Sequence, residues 1–347
     1  MRAGEAAVVI AGFIYCYLIL GDIDLDSKTR FLMALAHQKP DRVPFNFWMD
    51  RRLMAQYEKK LGHKHWRVTH FGADVIESFP ILAFPVGKYV EVGCASRLSE
   101  PYQISWENTN SIPMPDPNAA NVLDIINADM EQFPDKAVIM NVITPWGVIA
   151  SMVGYEQIYM DVLDHSEGLK KLSRRICDVF KVVVERACKM GITALYIQED
   201  IADVNGLSMS MKSTQEHCLC YAKELADIAG YHKIPVLFHT DGKMTDELFE
   251  NFIKIGINAV NPLQPHLNDL AKFKSCFGGK LALYGGLDNC FTLSQGTPQA
   301  IREHIANLFE VVGKPDGALI LSSHDIDFDV PPENIETMVA AIKACIY

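Results

Sequence analysis

Eight short apolar segments recur along the chain, at 43–49, 74–79, 137–143, 194–198, 235–239, 259–262, 281–284 and 318–322. Helical spacing fills the gaps between them. It is clearest over 166–191, where Leu169, Leu172, Ile176, Val179 and Val183 share a face, and it returns over 214–229 and 246–255. Strands apolar on both faces, alternating with amphipathic helices, read as parallel βα units covered on both sides. Eight of them predict an α/β fold of the closed kind, a (β/α)8 TIM barrel, rather than an open doubly wound sheet. No GxGxxG or GxxxxGK[ST] run follows a strand, so the usual phosphate loop of a nucleotide fold is missing.

The 347 residues suit one such barrel. The pattern places a single barrel domain at 26–347, with a hairpin excursion around 80–120, where Pro, Gly and Ser are frequent and KYVEV alternates. Residues 1–25 read as an apolar extension. Its uninterrupted run, 6–20, falls short of the roughly 20 residues of a membrane span. Only Arg2 precedes the run as a basic residue, beside Glu5, which is a poor match to a signal peptide. No membrane association is expected. The net charge of −11 disfavours phosphate backbones, so no nucleic-acid partner is expected either. Nine cysteines with no CxxC pair predict reduced thiols in a cytoplasmic protein rather than a disulfide framework.

In a barrel of this kind chemistry collects where the strands end. The candidates there are Trp48 and Asp50, Glu77, Trp146, Gln198 and Glu199, His239 and Asp241, Asp288, and His324. Two strands ending in histidine are the sharpest feature. His239, His324, Asp241 of an HxD, and Glu199 would converge on one mouth, a donor set suited to a catalytic zinc or similar divalent ion. Glu199, His239 and His324 are the expected catalytic groups. Trp48, Asp50, Glu77, Trp146, Gln198 and Asp288 are expected to line the substrate, with Trp48, Trp146 and Phe79 as a flat wall. Hydrogen-bonded structural histidines are the competing reading. His165, His217, His232 and His304 read as surface helix residues.

Four blocks, in order, carry a resemblance: TRFLMALAHQKPDRVPFNFW, TPWGVIASMVGYEQIYMDVLDHSEGLKKL, VLFHTDGKMTDELFENFIKIGINAVNPLQP and LILSSHDIDFDVPPENIETMVAA. Together they resemble the uroporphyrinogen decarboxylase superfamily over residues 26–347. The resemblance implies the (β/α)8 barrel. It also implies one of two activities, tetrapyrrole decarboxylation or methyl transfer with corrinoid proteins. The decarboxylases carry R-Q-A-G-R after strand one and F-S-D-I-L after strand two. Here the corresponding runs are MDRRLMA and IESFPIL. The methyltransferases bind zinc through H-x-C after strand five and a cysteine in the closing loop. Here those places hold His239, Asp241 and His324.

Carboxylate and imidazole in place of thiolates would leave a bound metal more electrophilic, suited to oxygen rather than sulfur chemistry. The expected activity is therefore corrinoid-dependent methyl transfer from an O-methylated small molecule, such as a methoxylated aromatic, with zinc on His239, Asp241, His324 and Glu199. The corrinoid would arrive on a partner protein, since no D-x-H-x-x-G signature is present. The alternatives are a metal-free decarboxylase and a non-catalytic small-molecule-binding barrel.

Overall fold

The computed structural model describes residues 24–92 and 95–347. The apolar run at 6–20 lies outside the described residues. Seven parallel strands form the main sheet: β1 (Val75–Ser78), β4 (Ala137–Ile143), β5 (Ala194–Gln198), β8 (Val236–Thr240), β9 (Ala259–Pro262), β10 (Ala282–Leu287) and β11 (Leu319–Ser323), neighbours in that order. The intervening strands β2 (Lys88–Val92) and β3 (Ala95–Glu100) make an antiparallel hairpin, and β6 (Ala202–Asp203) and β7 (Gly206–Leu207) a very small one.

Segment 43–49 differs from the ladder strand expected of it. It lies between β1 and β11 but touches each at isolated points. Asp74 N donates to Phe45 O, Asn46 N to Leu321 O, and Leu321 N to Pro44 O. Pro44 has no N–H to give, which removes one rung of a regular ladder. The seven strands and this segment together make the curled α/β barrel wall.

Alternation along the strands sorts their side chains into two layers. Val138, Met140, Leu195, Ile197, Phe238, Val260, Leu283 and Leu321 face outward and pack under the helices. Ala137, Ile139, Ala194, Tyr196, Leu237, Ala259, Ala282, Tyr284, Ala318 and Ile320 face inward. The small residues cluster at strand starts. They make room for Phe31, Ala34 and Leu35 of helix α1 (Ser27–Leu35), which plugs the N-terminal end of the barrel. Phe31 meets the Tyr284 ring edge-on at 6.5 Å.

The plug is fixed electrostatically. Arg30, 3% exposed, pairs with Asp41 at 2.7 Å and with fully buried Asp74 at 2.8 Å, and Arg42 reaches the same Asp74. This end of the molecule is built for stability and leaves the opposite end for chemistry.

Candidate active site

The same alternation sets what reaches the C-terminal mouth. Tyr196 faces inward, so Gln198 and Asp200 continue that face and Glu199 does not. Leu237 faces inward, so His239 and Asp241 both follow it. Inward Ile320 is followed by Ser322 and His324. Gln198, Asp200, His239, Asp241 and His324 open onto a cleft of about 600 Å³, walled also by Trp48, Arg51, Phe79 and Tyr155. Gly242 closes the turn after Asp241 at φ +89°, with Asp203 backbone 2.5 Å from where a Cβ would stand, so any larger residue would push the two loops apart.

Below the cleft a hydrogen-bonded column crosses the barrel axis. Tyr284 donates to Glu77 Oε1 at 2.6 Å, and Asn46 Nδ2 reaches the same oxygen at 2.8 Å. Asn261 Nδ2 donates to the Tyr284 carbonyl at 2.6 Å. A carbonyl only accepts, so Asn261 must present Oδ1 to its other neighbours. That oxygen takes hydrogen bonds from Tyr196 and from His239 Nδ1, both at 2.6 Å. In the neutral imidazole the proton is thereby placed on Nδ1 and the lone pair on Nε2. Burial pushes the Tyr196 and Tyr284 hydroxyls well above their ordinary range, so both stay protonated donors.

The Nε2 lone pair faces two carboxylates, Asp200 Oδ1 at 3.7 Å and Asp241 Oδ1 at 3.9 Å. All three atoms lie within 4.8 Å of one another. The separations exceed a hydrogen bond and approach the roughly 3.3 Å that two bonds of about 2.0 Å to one tetrahedral ion would give. Asp241 Oδ1 is buried with no hydrogen-bond partner among the described residues. An imidazole and two carboxylates, one of them with an unpartnered buried oxygen, fit a divalent cation. Asp241 Oδ2 is held by His324 Nε2 at 2.9 Å. Burial opposes the His324 charge, but the hydrogen bond and charge of Asp241 outweigh it, and the imidazole pKa is raised. Burial likewise works against the Asp241 carboxylate, yet the two histidines bring its pKa down. His324 thus orients a ligand oxygen from the far side, and its ring lies 6.3 Å from that of His239.

Sequence reasoning chose Glu199 for the metal and passed over Asp200. The structure keeps Glu199 on the cleft wall but ties its Oε2 to the Thr144 hydroxyl and to Gly147 N, the latter at 3.1 Å, apart from the His239 group. Burial pushes its pKa well above the usual carboxyl range. Period-two counting from Tyr196 was the signal that separates the two acids.

Other expected substrate residues divide. Trp48 and Gln198 line the cleft. Trp48 meets Phe79 edge-on at 6.3 Å, and the Arg67 guanidinium lies 4.1 Å from its ring. Asp50 instead caps α2 (Arg51–Leu61), binding Arg52 N and Nε. Glu77 is held inside the column. Trp146 follows Pro145 into helix α3 (Pro145–Val153) and packs in the core, 1% exposed, against Tyr159 and His217. His217, expected on a surface, is therefore buried as well. Asp288 caps the turn after β10, accepting from the Cys290, Phe291 and Thr292 amides.

Arg51 is the one lysine or arginine on the cleft wall among the described residues, against Glu199, Asp200, Asp241 and Asp325. Among those residues, no helix is long and apolar enough to cross a membrane.

Comparison with known proteins follows the same outline. The uroporphyrinogen decarboxylase (URO-D) family profile matches residues 87–345. The uroporphyrinogen decarboxylase of Legionella pneumophila (strain Philadelphia 1) is 24% identical over 351 residues, covering 91% of this chain and 96% of that protein. That of a Nitratiruptor species is 24% identical, covering 69% of each. A solved methyltransferase from Methanosarcina mazei superposes with a TM-score of 0.71 at 16% identity, covering 92% of this chain and 99% of that one. The barrel and the profile match over most of its length agree that the chain belongs to the uroporphyrinogen decarboxylase (URO-D) family.

Proposed function

We propose that this chain is a divalent-metal methyltransferase, which takes a methyl group from an O-methylated small molecule, such as a methoxylated aromatic, and passes it to a corrinoid on a separate protein. The observation that carries the reading is the His239 Nε2 lone pair facing Asp200 and Asp241.

In the reaction the C–O bond breaks, its electron pair stays with the oxygen, and the methyl group leaves for the reduced corrinoid, which contributes the pair for the new bond. An alkoxide or phenoxide is a poor leaving group. A cation bound here would supply Lewis-acid stabilisation of that oxygen, on the order of several kcal/mol. His239, Asp200 and Asp241 would hold the ion. Asn261 keeps His239 in the required tautomer, and His324 keeps Asp241 turned toward it. Trp48 and Phe79 offer flat apolar surface to a donor ring.

The alternative is decarboxylation, which the names of the curated relatives favour. A polycarboxylated substrate calls for fixed guanidinium forks. The acidic cleft wall with Arg51 alone speaks against it.

The test is to incubate metal-loaded protein with reduced cobalamin and a panel of methoxylated aromatics. Methylcobalamin formation that disappears in His239→Ala supports the reading. Release of CO2 from uroporphyrinogen, with no methylcobalamin formed, would establish the decarboxylase instead.

A further inference from the structure

A second group of ligand-capable side chains stands on the same end of the barrel. His266 follows β9, and Asp288 and Cys290 follow β10. One donor atom from each lies within 4.8 Å of the others. His266 Nδ1 is 3.9 Å from Asp288 Oδ1, too far for a hydrogen bond and close to the spacing at His239.

Both arms of the group are anchored. The loop carrying His266 is tied to the loop after β8: Gly242 N donates to Gln264 Oε1 at 2.9 Å, Met244 N to Asn268 Oδ1 at 2.8 Å, and Asn268 Nδ2 to Gly242 O at 3.0 Å. The turn carrying Cys290 is pinned to the closing loop by Asn289 Nδ2, which donates to Asp325 O at 2.7 Å. Asp288 itself is 8% exposed. Its Oδ1 accepts from the Cys290 and Phe291 amides at 3.1 and 3.2 Å, and its Oδ2 from the Thr292 amide and hydroxyl at 3.0 and 2.9 Å. Oδ1 is the oxygen that faces His266.

We propose that His266, Asp288 and Cys290 form a second metal site, for a thiophilic divalent cation such as Zn2+, distinct in chemistry from the sulfur-free set at His239. Bonds of about 2.0 Å to nitrogen and oxygen and about 2.3 Å to sulfur place tetrahedral ligands roughly 3.3–3.5 Å apart. From within 4.8 Å the group closes to that spacing by side-chain movements on the order of an ångström, and the anchored backbone lowers the ordering cost of binding. Burial and the carboxylates of Asp288, Asp327 and Asp241 push the Cys290 thiol up. That same negative field attracts a dication, whose charge would then stabilise the thiolate. The fourth position falls to solvent. So placed, the ion would fasten the β9 loop to the β10 turn, and through Gln264 and Asn268 would brace the turn that presents Asp241.

Cobalt substitution separates the two sites, since only a cysteine ligand gives a near-ultraviolet thiolate-to-cobalt charge-transfer band. The full chain is loaded with Co2+ and compared with Cys290→Ser and His239→Ala. The expected result is a band in the parent protein, its loss in Cys290→Ser together with one equivalent of bound cobalt, and its persistence in His239→Ala. Circular dichroism checks that Cys290→Ser is folded. Cys276→Ser and Cys220→Ser serve as controls for the exposed thiols. A band that is absent from the parent, or that survives in Cys290→Ser, overturns the proposal. Methylcobalamin formation is read separately, so failure here leaves the methyl-transfer reading standing, and the reverse.

Discussion

His239 Nδ1 donates to Asn261 Oδ1 at 2.6 Å, and Asn261 cannot turn its amide over without setting its own Nδ2 against a donor while abandoning the Tyr284 carbonyl. One amide thus decides which imidazole nitrogen is left basic. Replacing Asn261 with Ala should weaken metal binding about 10–100-fold, as loss of such outer support does in metal sites generally. Chelator competition measures it. A variant that loses thermal stability but keeps full affinity would reduce Asn261 to a structural role.

Asp200 and Glu199 are neighbours on the cleft wall with different partners. Asp200→Asn should cost most of the metal at His239, whereas Glu199→Gln should keep it, since Glu199 serves Thr144 and Gly147. Metal content after gel filtration distinguishes them. Equal loss in both variants would restore Glu199 as a ligand.

Trp146 and Phe79 separate core from cleft. Trp146→Ala removes a side chain that is 1% exposed and should destabilise the fold by about 3–5 kcal/mol. Phe79, 43% exposed on the cleft wall, should cost much less stability on truncation but raise KM for an aromatic donor. Urea titrations and steady-state kinetics on the two variants check the contrast. A normal KM in Phe79→Ala would remove it from the substrate wall.

How far such roles could be read from the sequence depended on local periodicity. Seven strands were legible because each is a short, mostly apolar segment between helical patterns, and His239 and His324 because they stand at the ends of two of them. Trp146 was misplaced because Pro145 starts a helix immediately after the strand, and the helix turns the indole into the core. Glu199 was preferred to Asp200 because a strand end was read as a point, without following the alternation onward from Tyr196. The column through Asn46, Glu77, Asn261 and Tyr284 joins four distant segments, and no local pattern links them.

Arg30 supports the opposite end of the barrel. Arg30→Met should cost about 3 kcal/mol near neutral pH, because Asp74 remains fully buried with Arg42 as its remaining cationic partner. Burial works against the Asp41 carboxylate, but Arg30's hydrogen bond and charge outweigh it and hold its pKa below the ordinary value. A depressed carboxyl pKa contributes stability above the unfolded value of about 3.9 and loses it as pH falls through the folded value. The difference between parent and variant should therefore be constant from about pH 5 to 7 and shrink below about pH 4. Denaturant unfolding across that range measures it. A difference that grows with acid would contradict the pairing.

Segment 43–49 meets β1 and β11 through single backbone contacts at Phe45, Pro44 and Asn46, and the chain near Ile326 through Trp48 and Asp50. Elsewhere consecutive residues of each strand pair with its neighbour, from two pairs at β9–β10 to five at β4–β5 and β10–β11. Amides on such a segment exchange through small local openings rather than global unfolding, so deuterium should enter 43–49 before it enters β4 or β5. This is the seam of the barrel, and it carries Trp48 into the cleft. A donor too broad for about 600 Å³ would gain room there first, by parting a few hydrogen bonds while the other seven staves stay closed.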